Sequence, residues 1–472
     1  MSFLPDAREI IQQLELYHQQ SISMQASAIN QLPLADLVSA MDLEKWAKNG
    51  GLTGEHLLKF TEKYLSATTR LHHPGFLAHQ CAAPHYGSAL ASMIDGFTNN
   101  PMNIYEMGPA AASIEYFVIN WMLEKVGWAP APYPPNRMDP QKITGGGVLT
   151  HGGSLANLTA LIAARTKMAP SVWDTGNPPD LALLASPENH YSITRAAGIL
   201  GMGQKSIYHL EVDQNGVIRP DKLDKAYIRM KEDGKRAIAL VANACSTAAG
   251  LYDPIREIAQ FCRENDIWLH IDGAHGASAL LSEKYRHLLD GIELADSLSW
   301  DAHKMMQTTS LCTAVLVRDV ATLERAFQQE ASYLFHEKEE PGIDFIERTV
   351  ECTKAGLGLK FFMVLGCLGE KGLAHFIDRQ YDLALECYEY IRQIPGFECP
   401  VRPQANILCF RVDGDDERQL FIRDQLIAEG KYYLSTSDFG GRRCLRLSLM
   451  SPQTTLRTIQ DLVSEIRSLT GI

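Results

Sequence analysis

One lysine of the chain lies in a setting that could support covalent chemistry. Lys304 follows His303, and the residues after it, MMQTTSLC, carry no charge and lead into the strand-like segment TAVLVRD (313–319). A lysine amine can form a Schiff base with a carbonyl compound, and partial burial lowers its pKa and frees the amine. The alternative is a surface lysine whose stem packs over a sheet. Lys304 therefore needs partners before a role can be assigned.

A carboxylate ends one of the apolar segments. Asp272 closes WLHID (268–272), and the small residues that follow it leave room for a bulky group against Ala274. An acidic residue at a strand terminus could cap a helix or bind a metal or a ribose. It could also keep a heteroaromatic nitrogen protonated, since an adjacent opposite charge typically moves a pKa by about 1–3 units. The segment by itself leaves these roles open.

Two further segments could bind a flat, phosphorylated ligand. The glycine-rich loop in residues 145–165 runs into a helix, where backbone N–H groups and the Ser154 hydroxyl could hold a phosphate. The alternative is a tight strand-to-helix turn capped by Ser154. His190 follows the strand-like LALLAS (181–186), at the end of a strand where open α/β sheets bind ligands, and its imidazole could stack on a ring. The alternative is a histidine satisfied by local hydrogen bonds.

The elements around these residues predict an α/β fold. Apolar, β-rich segments alternate with helical ones between residues 143 and 318, which predicts a mostly parallel sheet with helices on both faces. The strand-like segments are 181–186, 236–244, 268–272 and 313–319. We predict an N-terminal helical segment (1–70), a large ligand-binding domain (71–370) and a small α/β C-terminal domain (371–472).

Composition narrows the classes of function. Fifty-six acidic residues against 44 basic ones give a net charge of −12, and no Lys/Arg run exceeds pairs such as Arg442-Arg443, so we expect no nucleic-acid partner. The ten cysteines are scattered and show no zinc spacing, which is typical of reduced thiols without a metal. The N-terminus carries charges where a signal peptide is apolar, and no segment approaches the length of a membrane span. We expect a cytoplasmic protein that acts on a small molecule and does not bind membranes.

Taken in chain order, these motifs resemble one family. HYSI-x-RAA-x-x-LG-x-G (190–203), WLH-x-D (268–272), G-x-x-x-ADS (291–297) and the His303-Lys304 pair are similar to segments of the group II amino acid decarboxylases, over residues 70 to 470. The resemblance implies the fold-type I transferase fold and pyridoxal 5′-phosphate as the cofactor. It also implies α-decarboxylation of an L-amino acid to an amine and CO2.

The resemblance assigns roles to the four residues that it makes catalytic. Lys304 would form the Schiff base with the cofactor, and Asp272 would face the pyridine nitrogen. His190 would stack on one face of the ring, opposite Ala274. His303 would lie near the phosphate and the catalytic loop.

The resemblance also assigns binding roles. Gly153 and Ser154 match the phosphate loop, and Thr247 would support Asp272 or a cofactor oxygen. Arg446 matches the arginine that holds the substrate α-carboxylate in glutamate decarboxylases, and Gln80 matches a glutamine that contacts the substrate.

The chain departs from the family where a loop tyrosine usually protonates Cα. No tyrosine follows Tyr333 in residues 331–354, and Ile343 lies near the expected place, with Phe345 two positions on. The resemblance then implies that His303, His336 or water supplies the proton, or that oxygen intervenes and an aldehyde forms. Other departures are Asp301 and Ala302 for Asn-Pro, Cys245 for glycine, His275 for an aromatic residue and Lys354 for arginine.

The sequence also gives expectations about the substrate, the class of function and the assembly of the protein. Gln80 and the Tyr105-Glu106 pair favour a small polar or acidic amino acid, whereas FLAHQCAAP is similar to diaminobutyrate decarboxylase, and an aromatic substrate stays open. The other classes of function that stay open are an aminotransferase, another lyase on the same fold, and a catalytically silent binding protein.

The family's cofactor lies near a subunit boundary, so we expect a homodimer with residues 1–70 as a clasp.

Overall fold

The computed structural model describes residues 3–135, 138, 141–327 and 342–471. Its helices are α1 (Phe3–Ile22), α2 (Leu34–Ala40), α3 (Leu43–Asn49), α4 (Glu55–Ser66), α5 (Tyr86–Thr98), α6 (Pro109–Val126), α7 (Gly153–Met168), α8 (Val172–Thr175), α9 (Ser192–Ile199), α10 (Leu223–Glu232), α11 (Ile255–Glu264), α12 (Ala321–Phe327), α13 (Leu357–Ile391), α14 (Asp416–Glu429) and α15 (Leu456–Thr470). Its strands are β1 (Gly146–Thr150), β2 (Leu181–Ala185), β3 (Ile207–His209), β4 (Arg236–Asn243), β5 (Trp268–Asp272), β6 (Ser297–Asp301), β7 (Thr313–Val317), β8 (Phe397–Glu398), β9 (Ile407–Val412), β10 (Ser435–Phe439) and β11 (Arg442–Ser448).

The described residues divide into two compact units. The first comprises residues 3–83, 382–402 and 406–471, and the second comprises the described parts of 84–381 together with 403–405. The long helix α13 contributes to both, and its backbone leaves the helical region at Gly369, where φ is 63°. Each unit has its own sheet and is described separately.

The second unit contains a mostly parallel sheet. Among the described residues, seven strands follow the order β1-β7-β6-β5-β4-β2-β3, and β7 is antiparallel to both of its neighbours. Every residue of β2, β5, β6 and β7 is buried, as expected of strands that are covered on both faces. The predicted α/β fold is therefore confirmed, and the carboxyl ends of the parallel strands meet at one edge of the sheet.

The first unit contains a smaller sheet. In the described part of the chain, four antiparallel strands follow the order β10-β11-β9-β8. Its core includes Leu408, Leu445 and Leu447 from the strands and Ile422 and Ile459 from α14 and α15. The predicted helices of the N-terminal segment are present as α1 to α4.

One buried ion pair braces the second unit. Lys354 Nζ lies 2.8 Å from Glu115 Oε2, and both side chains are fully buried. The other carboxylate oxygen, Oε1, accepts a 2.8 Å hydrogen bond from the backbone N–H of Leu149 in β1. A buried charge is stable only when it is paired and hydrogen-bonded, so this pair fixes α6, β1 and the segment around Lys354 relative to one another.

The structure also describes the cysteines and the apolar character of the helices. All ten cysteines lie within the described residues, and each is a free thiol. None of the described helices combines the length and the apolar character that crossing a bilayer requires.

Candidate active site

A cavity of about 270 Å³ opens at the carboxyl edge of the large sheet. It brings together the residues that the sequence assigned to the cofactor: Gly153, Ser154, His190, Thr247, Asp272, Ala274, His303 and Lys304. It is also lined by residues to which the sequence assigned no binding role: His151, Gly152, Asn157, Asn243, Cys245, His275, Asp301 and Leu311. Residues separated by more than 150 positions in the chain thus share one pocket because the strands end side by side.

The Lys304 amine is paired with a carboxylate. Its Nζ lies 3.1 Å from Asp301 Oδ2, and the side chain is 21% exposed. Burial acts to lower the pKa of Lys304, but the negative charges of Asp301 and Asp272 outweigh it and hold that pKa above its usual value. The expectation that this pKa lies below its usual value is therefore wrong. The reason is Asp301, whose contact with the amine the sequence did not indicate.

Asp301 is the carboxylate at the position where the resemblance seen in the sequence implies an asparagine. Its Oδ1 accepts a 2.6 Å hydrogen bond from Thr313 Oγ1, and its Oδ2 lies 3.5 Å from His303 Nε2. Burial alone would raise the pKa of Asp301, but Lys304, His303 and the Thr313 hydrogen bond hold it below its usual value. The carboxylate is thus compensated by its own neighbours, which limits its repulsion of an anion in the cavity.

His303 has a defined ring orientation. Its Nδ1 lies 3.0 Å from the backbone carbonyl of Cys312 and 3.3 Å from the backbone nitrogen of the same residue. Nε2 is the ring nitrogen that lies toward Asp301. The ring is buried and lines the same cavity as Lys304. The resemblance seen in the sequence predicted His303 near the cofactor.

Asp272 is held at the end of β5 by a buried hydrogen-bond chain. Its Oδ2 accepts a 2.9 Å hydrogen bond from Asn157 Nδ2, and its Oδ1 accepts one of 3.3 Å from the N–H of Ala274. Asn157 Oδ1 in turn accepts from His270 Nε2 at 3.0 Å and from Ser299 Oγ at 2.6 Å. These contacts fix the direction of the Asp272 carboxylate within the cavity.

His270 and Asn157 were missed by the sequence analysis. Burial lowers the pKa of His270 to about 4, so its ring is neutral near pH 7 and can donate through Nε2 while Nδ1 accepts from Ser297 Oγ. The only signal in the sequence was a polar residue, Asn157, within the apolar helix that follows the glycine-rich loop. Its partner lies 115 residues further along the chain.

His190 lies at the start of α9. Its Nδ1 is 2.9 Å from Ser192 Oγ, and that hydroxyl also accepts a hydrogen bond from Asn157 Nδ2. Burial lowers the pKa of His190, and the nearby Lys304 adds to this effect while Asp272 opposes it. The local hydrogen bond fixes the ring, and the ring still lines the cavity. The two interpretations of His190 from the sequence are therefore compatible.

The glycine-rich loop presents the start of α7 to the cavity. Gly152 has a φ of 103°, which an L side chain rarely adopts, and it precedes the first helical residue, Gly153. No side chain caps α7, so the alternative that Ser154 serves as the cap is wrong. The first N–H groups of a helix lack partners within it and attract anions. The loop and the Ser154 hydroxyl could therefore hold a phosphate.

The expected substrate contacts lie in the first unit. Arg446, in β11, is buried and donates from Nη1 to the carbonyl of Ala78 at 3.1 Å. Gln80 Nε2 is shielded from solvent and has no hydrogen-bond partner among the described residues. His79 Nε2 lies 2.9 Å from Tyr433 Oη, and burial lowers the pKa of His79, an effect to which the Arg446 charge adds. This unit therefore contains the Arg446 guanidinium, the His79 imidazole and the shielded Gln80 amide.

The positions at which a loop tyrosine was expected hold core residues. Ile343 and Phe345 are buried and belong to a hydrophobic cluster with Tyr116 and Val148. Neither side chain can donate a proton. Tyr333 and His336, the other residues considered there, lie outside the residues that the structure describes.

Comparison with known proteins identifies the family. The model of the "Pyridoxal-dependent decarboxylase conserved domain" matches residues 43–413. The chain belongs to the pyridoxal-dependent decarboxylases, which are carbon–carbon lyases with pyridoxal 5′-phosphate as cofactor. The resemblance seen in the sequence is confirmed.

Individual relatives cover nearly the whole chain. It is 29% identical to the acidic amino acid decarboxylase of Mus musculus, over 93% of this chain and 80% of that protein. It is 28% identical to the L-2,4-diaminobutyrate decarboxylase of Acinetobacter baumannii, over 92% of this chain and 87% of that protein. The crystal structure of mouse CSAD matches with a TM-score of 0.88 and 26% identity, over 99% of this chain and 98% of that chain.

The residues that line the cavity fit the family's cofactor. An amine suits its aldehyde, a fixed carboxylate suits its ring nitrogen, and a helix start suits its phosphate; Lys304, Asp272 and the Gly153-Ser154 turn provide these groups in one cavity. Asp301 is the one residue among these whose negative charge would repel the phosphate. Its contacts with Lys304 and Thr313 offset that charge.

Proposed function

We propose that the protein catalyses α-decarboxylation of an L-amino acid to the corresponding amine and CO2, with Lys304 as the residue that holds the cofactor covalently. The observation that carries this proposal is the presence of the Lys304 amine and the fixed Asp272 carboxylate in one cavity at the carboxyl edge of the sheet. Family membership independently supports an amino acid decarboxylase.

The roles of the cavity residues follow from their chemistry. Bound pyridoxal 5′-phosphate supplies an electron sink for the electron pair that remains at Cα when the carboxylate leaves. Asp272, held by Asn157, would keep a proton on the ring nitrogen. His190 and Ala274 would hold the ring, while Gly153, Ser154 and His303 would hold the phosphate. Thr247 would support Asp272 or a cofactor oxygen.

We propose a small polar or acidic amino acid as the substrate. Arg446 would hold the α-carboxylate, and Gln80 would contact the substrate. The shielded Gln80 Nε2 supports this assignment, because a buried donor without a partner is costly unless a ligand acceptor satisfies it. The acidic substrate class in the name of the Mus musculus relative points the same way. L-2,4-diaminobutyrate is the alternative that the Acinetobacter baumannii relative supports.

An oxygen-dependent reaction that yields an aldehyde is the second candidate. The observation that favours it is that Ile343 and Phe345, whose hydrocarbon side chains cannot donate a proton, are buried in a hydrophobic cluster. Slow protonation of Cα would leave time for oxygen to react. The product would then be an aldehyde in place of the amine.

A product screen tests the function and the substrate together. Protein reconstituted with pyridoxal 5′-phosphate is offered L-glutamate, L-aspartate, L-cysteine sulfinate, L-2,4-diaminobutyrate, L-ornithine, L-lysine and the aromatic amino acids, in air and under nitrogen, with products identified by mass spectrometry. We expect an amine from an acidic substrate in equal amounts in both atmospheres. An aldehyde formed only in air would establish the second candidate, and the absence of CO2 from every substrate would contradict a decarboxylase.

We also propose that the protein is a homodimer. Helix α5 exposes an apolar stripe at helical spacing, formed by Tyr86, Leu90, Met93, Ile94 and Phe97, of which Phe97 is 71% exposed. Helix α1 also exposes apolar side chains, including Phe3, Leu4 and Leu16. Contiguous apolar surface of this kind is typical of protein interfaces. A second copy of the chain would cover it, with the N-terminal helices as the proposed clasp.

The Phe97→Glu variant tests this assembly. A charge in the middle of an apolar interface is costly to bury, so we expect sedimentation velocity to show monomers where the wild type shows dimers. The matched control is Ile228→Glu, at an exposed isoleucine of α10 outside the stripe, and it should remain dimeric. A dimer that persists in Phe97→Glu would rule out α5 as the interface.

A further inference from the structure

A histidine and a glutamate form a pair beside the cofactor cavity. His151 immediately precedes Gly152 and lines the same cavity as Lys304. Its Nδ1 lies 2.5 Å from Glu351 Oε1, and the two residues are 200 positions apart in the chain. The His151 side chain is 39% exposed and that of Glu351 is 15% exposed. The pair therefore has access both to the cavity and to water.

The second carboxylate oxygen of Glu351 has its own contact. Oε2 accepts a hydrogen bond from Thr349 Oγ1 at 3.4 Å, and the Glu351 N–H donates to the same hydroxyl at 3.3 Å. A carboxylate that is fixed in this way orients the imidazole and places the proton of Nδ1. Nε2 is then the ring nitrogen that exchanges protons with a bound molecule, as in other carboxylate-oriented histidines that act as general acids and bases.

Three other titratable groups of the cavity have structural partners. Lys304 and His303 both face Asp301, and Asp272 accepts hydrogen bonds from Asn157 and from the backbone. His151 differs from them because it pairs with Glu351 and its side chain stays open to solvent.

We infer that His151, oriented by Glu351, delivers the proton that replaces the departing carboxylate at Cα. The inference rests on the proposed decarboxylation. In that step the bond between Cα and the carboxylate carbon breaks and CO2 leaves, while the electron pair of that bond becomes the new C–H bond with a proton from His151 Nε2. The histidine regains its proton from water at its exposed edge. His151 is then a catalytic residue, and Glu351 is a positioning residue.

This inference names a donor that the sequence did not indicate. The sequence left His303, His336 and water as possible donors, because His151 and Glu351 lie in separate segments and neither belongs to a motif that the sequence analysis assigned to proton transfer. The assignment also decides between the two proposed products. A donor in place at Cα favours the amine, and its loss favours the aldehyde.

The test compares His151→Gln and Glu351→Gln with the wild type as holoenzymes. Each is given L-aspartate, L-glutamate, L-cysteine sulfinate and L-2,4-diaminobutyrate in parallel, and CO2, amine, aldehyde and hydrogen peroxide are measured in air and under nitrogen. Since a positioned general acid contributes about 10²- to 10⁴-fold, we expect His151→Gln to form amine at least about 100-fold more slowly. KM and the visible band of the bound cofactor should stay unchanged.

The product ratio separates catalysis from structure. In air, His151→Gln should yield less amine per CO2, with aldehyde, ammonia and peroxide formed at the expense of oxygen and water. Glu351→Gln should shift the same ratio by a smaller amount. The matched control His287→Gln, at an exposed histidine on the surface of the second unit, should retain the wild-type ratio.

Three results would overturn the inference, and they are distinguishable. If His151→Gln forms amine at the wild-type rate, or if its CO2 and amine fall together with their ratio in air unchanged, His151 does not protonate Cα. If the wild type releases no CO2 from any of the four amino acids, the proposed decarboxylation fails and the inference falls with it.

Discussion

Lys304→Ala is expected to lose turnover and the visible band of the bound cofactor together. The alanine has no amine to attach the cofactor, whereas the other cavity groups, including Asp272 and the Gly153-Ser154 turn, remain. Cofactor bound only by these groups would not give a product that borohydride fixes to the protein. The measurement is the absorption spectrum before and after reduction, together with CO2 release.

The control for this variant is a lysine without a role in the cavity. Lys205→Ala, at an exposed position that precedes β3, should keep both the band and the turnover. Retained turnover in Lys304→Ala would remove this residue from the proposed mechanism. The variant should unfold at a lower temperature than the wild type, because the buried Asp301 carboxylate loses the amine with which it pairs.

Asp272→Ala is expected to bind the cofactor and to be nearly inert. Without the carboxylate, the pKa of the ring nitrogen falls by about 1–3 units, which lowers the protonated fraction near pH 7 by at most about 10- to 1,000-fold. The covalent link to Lys304 does not depend on that proton. We therefore expect the visible band to persist while CO2 release falls by a similar factor, as measured at saturating substrate.

Two variants sharpen the test of Asp272. Asp272→Asn keeps the shape and much of the hydrogen bonding but removes the charge, so it should fall nearly as far as alanine if charge is the cause. Asp290→Asn, at an exposed aspartate that pairs with Arg256 on the surface, should remain active. Near-normal rates in Asp272→Asn would show that the charge of Asp272 does not keep the ring nitrogen protonated.

Much of the large sheet could be predicted from the sequence, because its central strands are continuous apolar runs. Strands β2, β4, β5 and β7 fall where those runs predicted them. Strand β6 was missed, since SLSWD contains two serines and an aspartate and yet is buried throughout. Its polar side chains are satisfied across the sheet, for example Ser297 by Trp268 Nε1 at 2.8 Å, and such partners are not visible in a local pattern.

The residues of the site could be predicted from the sequence, but the direction in which their pKa values shift could not. Every residue assigned to the cofactor lines one cavity. The motifs follow strand ends, and the carboxyl ends of parallel strands lie at the same edge of the sheet. The pKa of Lys304 was not predictable, as its direction depends on Asp301, three residues away but on the opposite side of a turn. The pairs of His151 with Glu351 and of Glu115 with Lys354 join residues at least 200 positions apart, which only the fold brings together.

The most direct test of the account is the site at which the cofactor becomes attached. The holoenzyme is reduced with borohydride and digested, and the pyridoxyl-bearing peptide is identified by mass spectrometry. We predict a single modified lysine, Lys304, in the peptide that contains WDAHKMM, and loss of turnover in proportion to its modification. Attachment to another lysine, or full turnover after complete reduction, would contradict the assignment of this cavity as the active site.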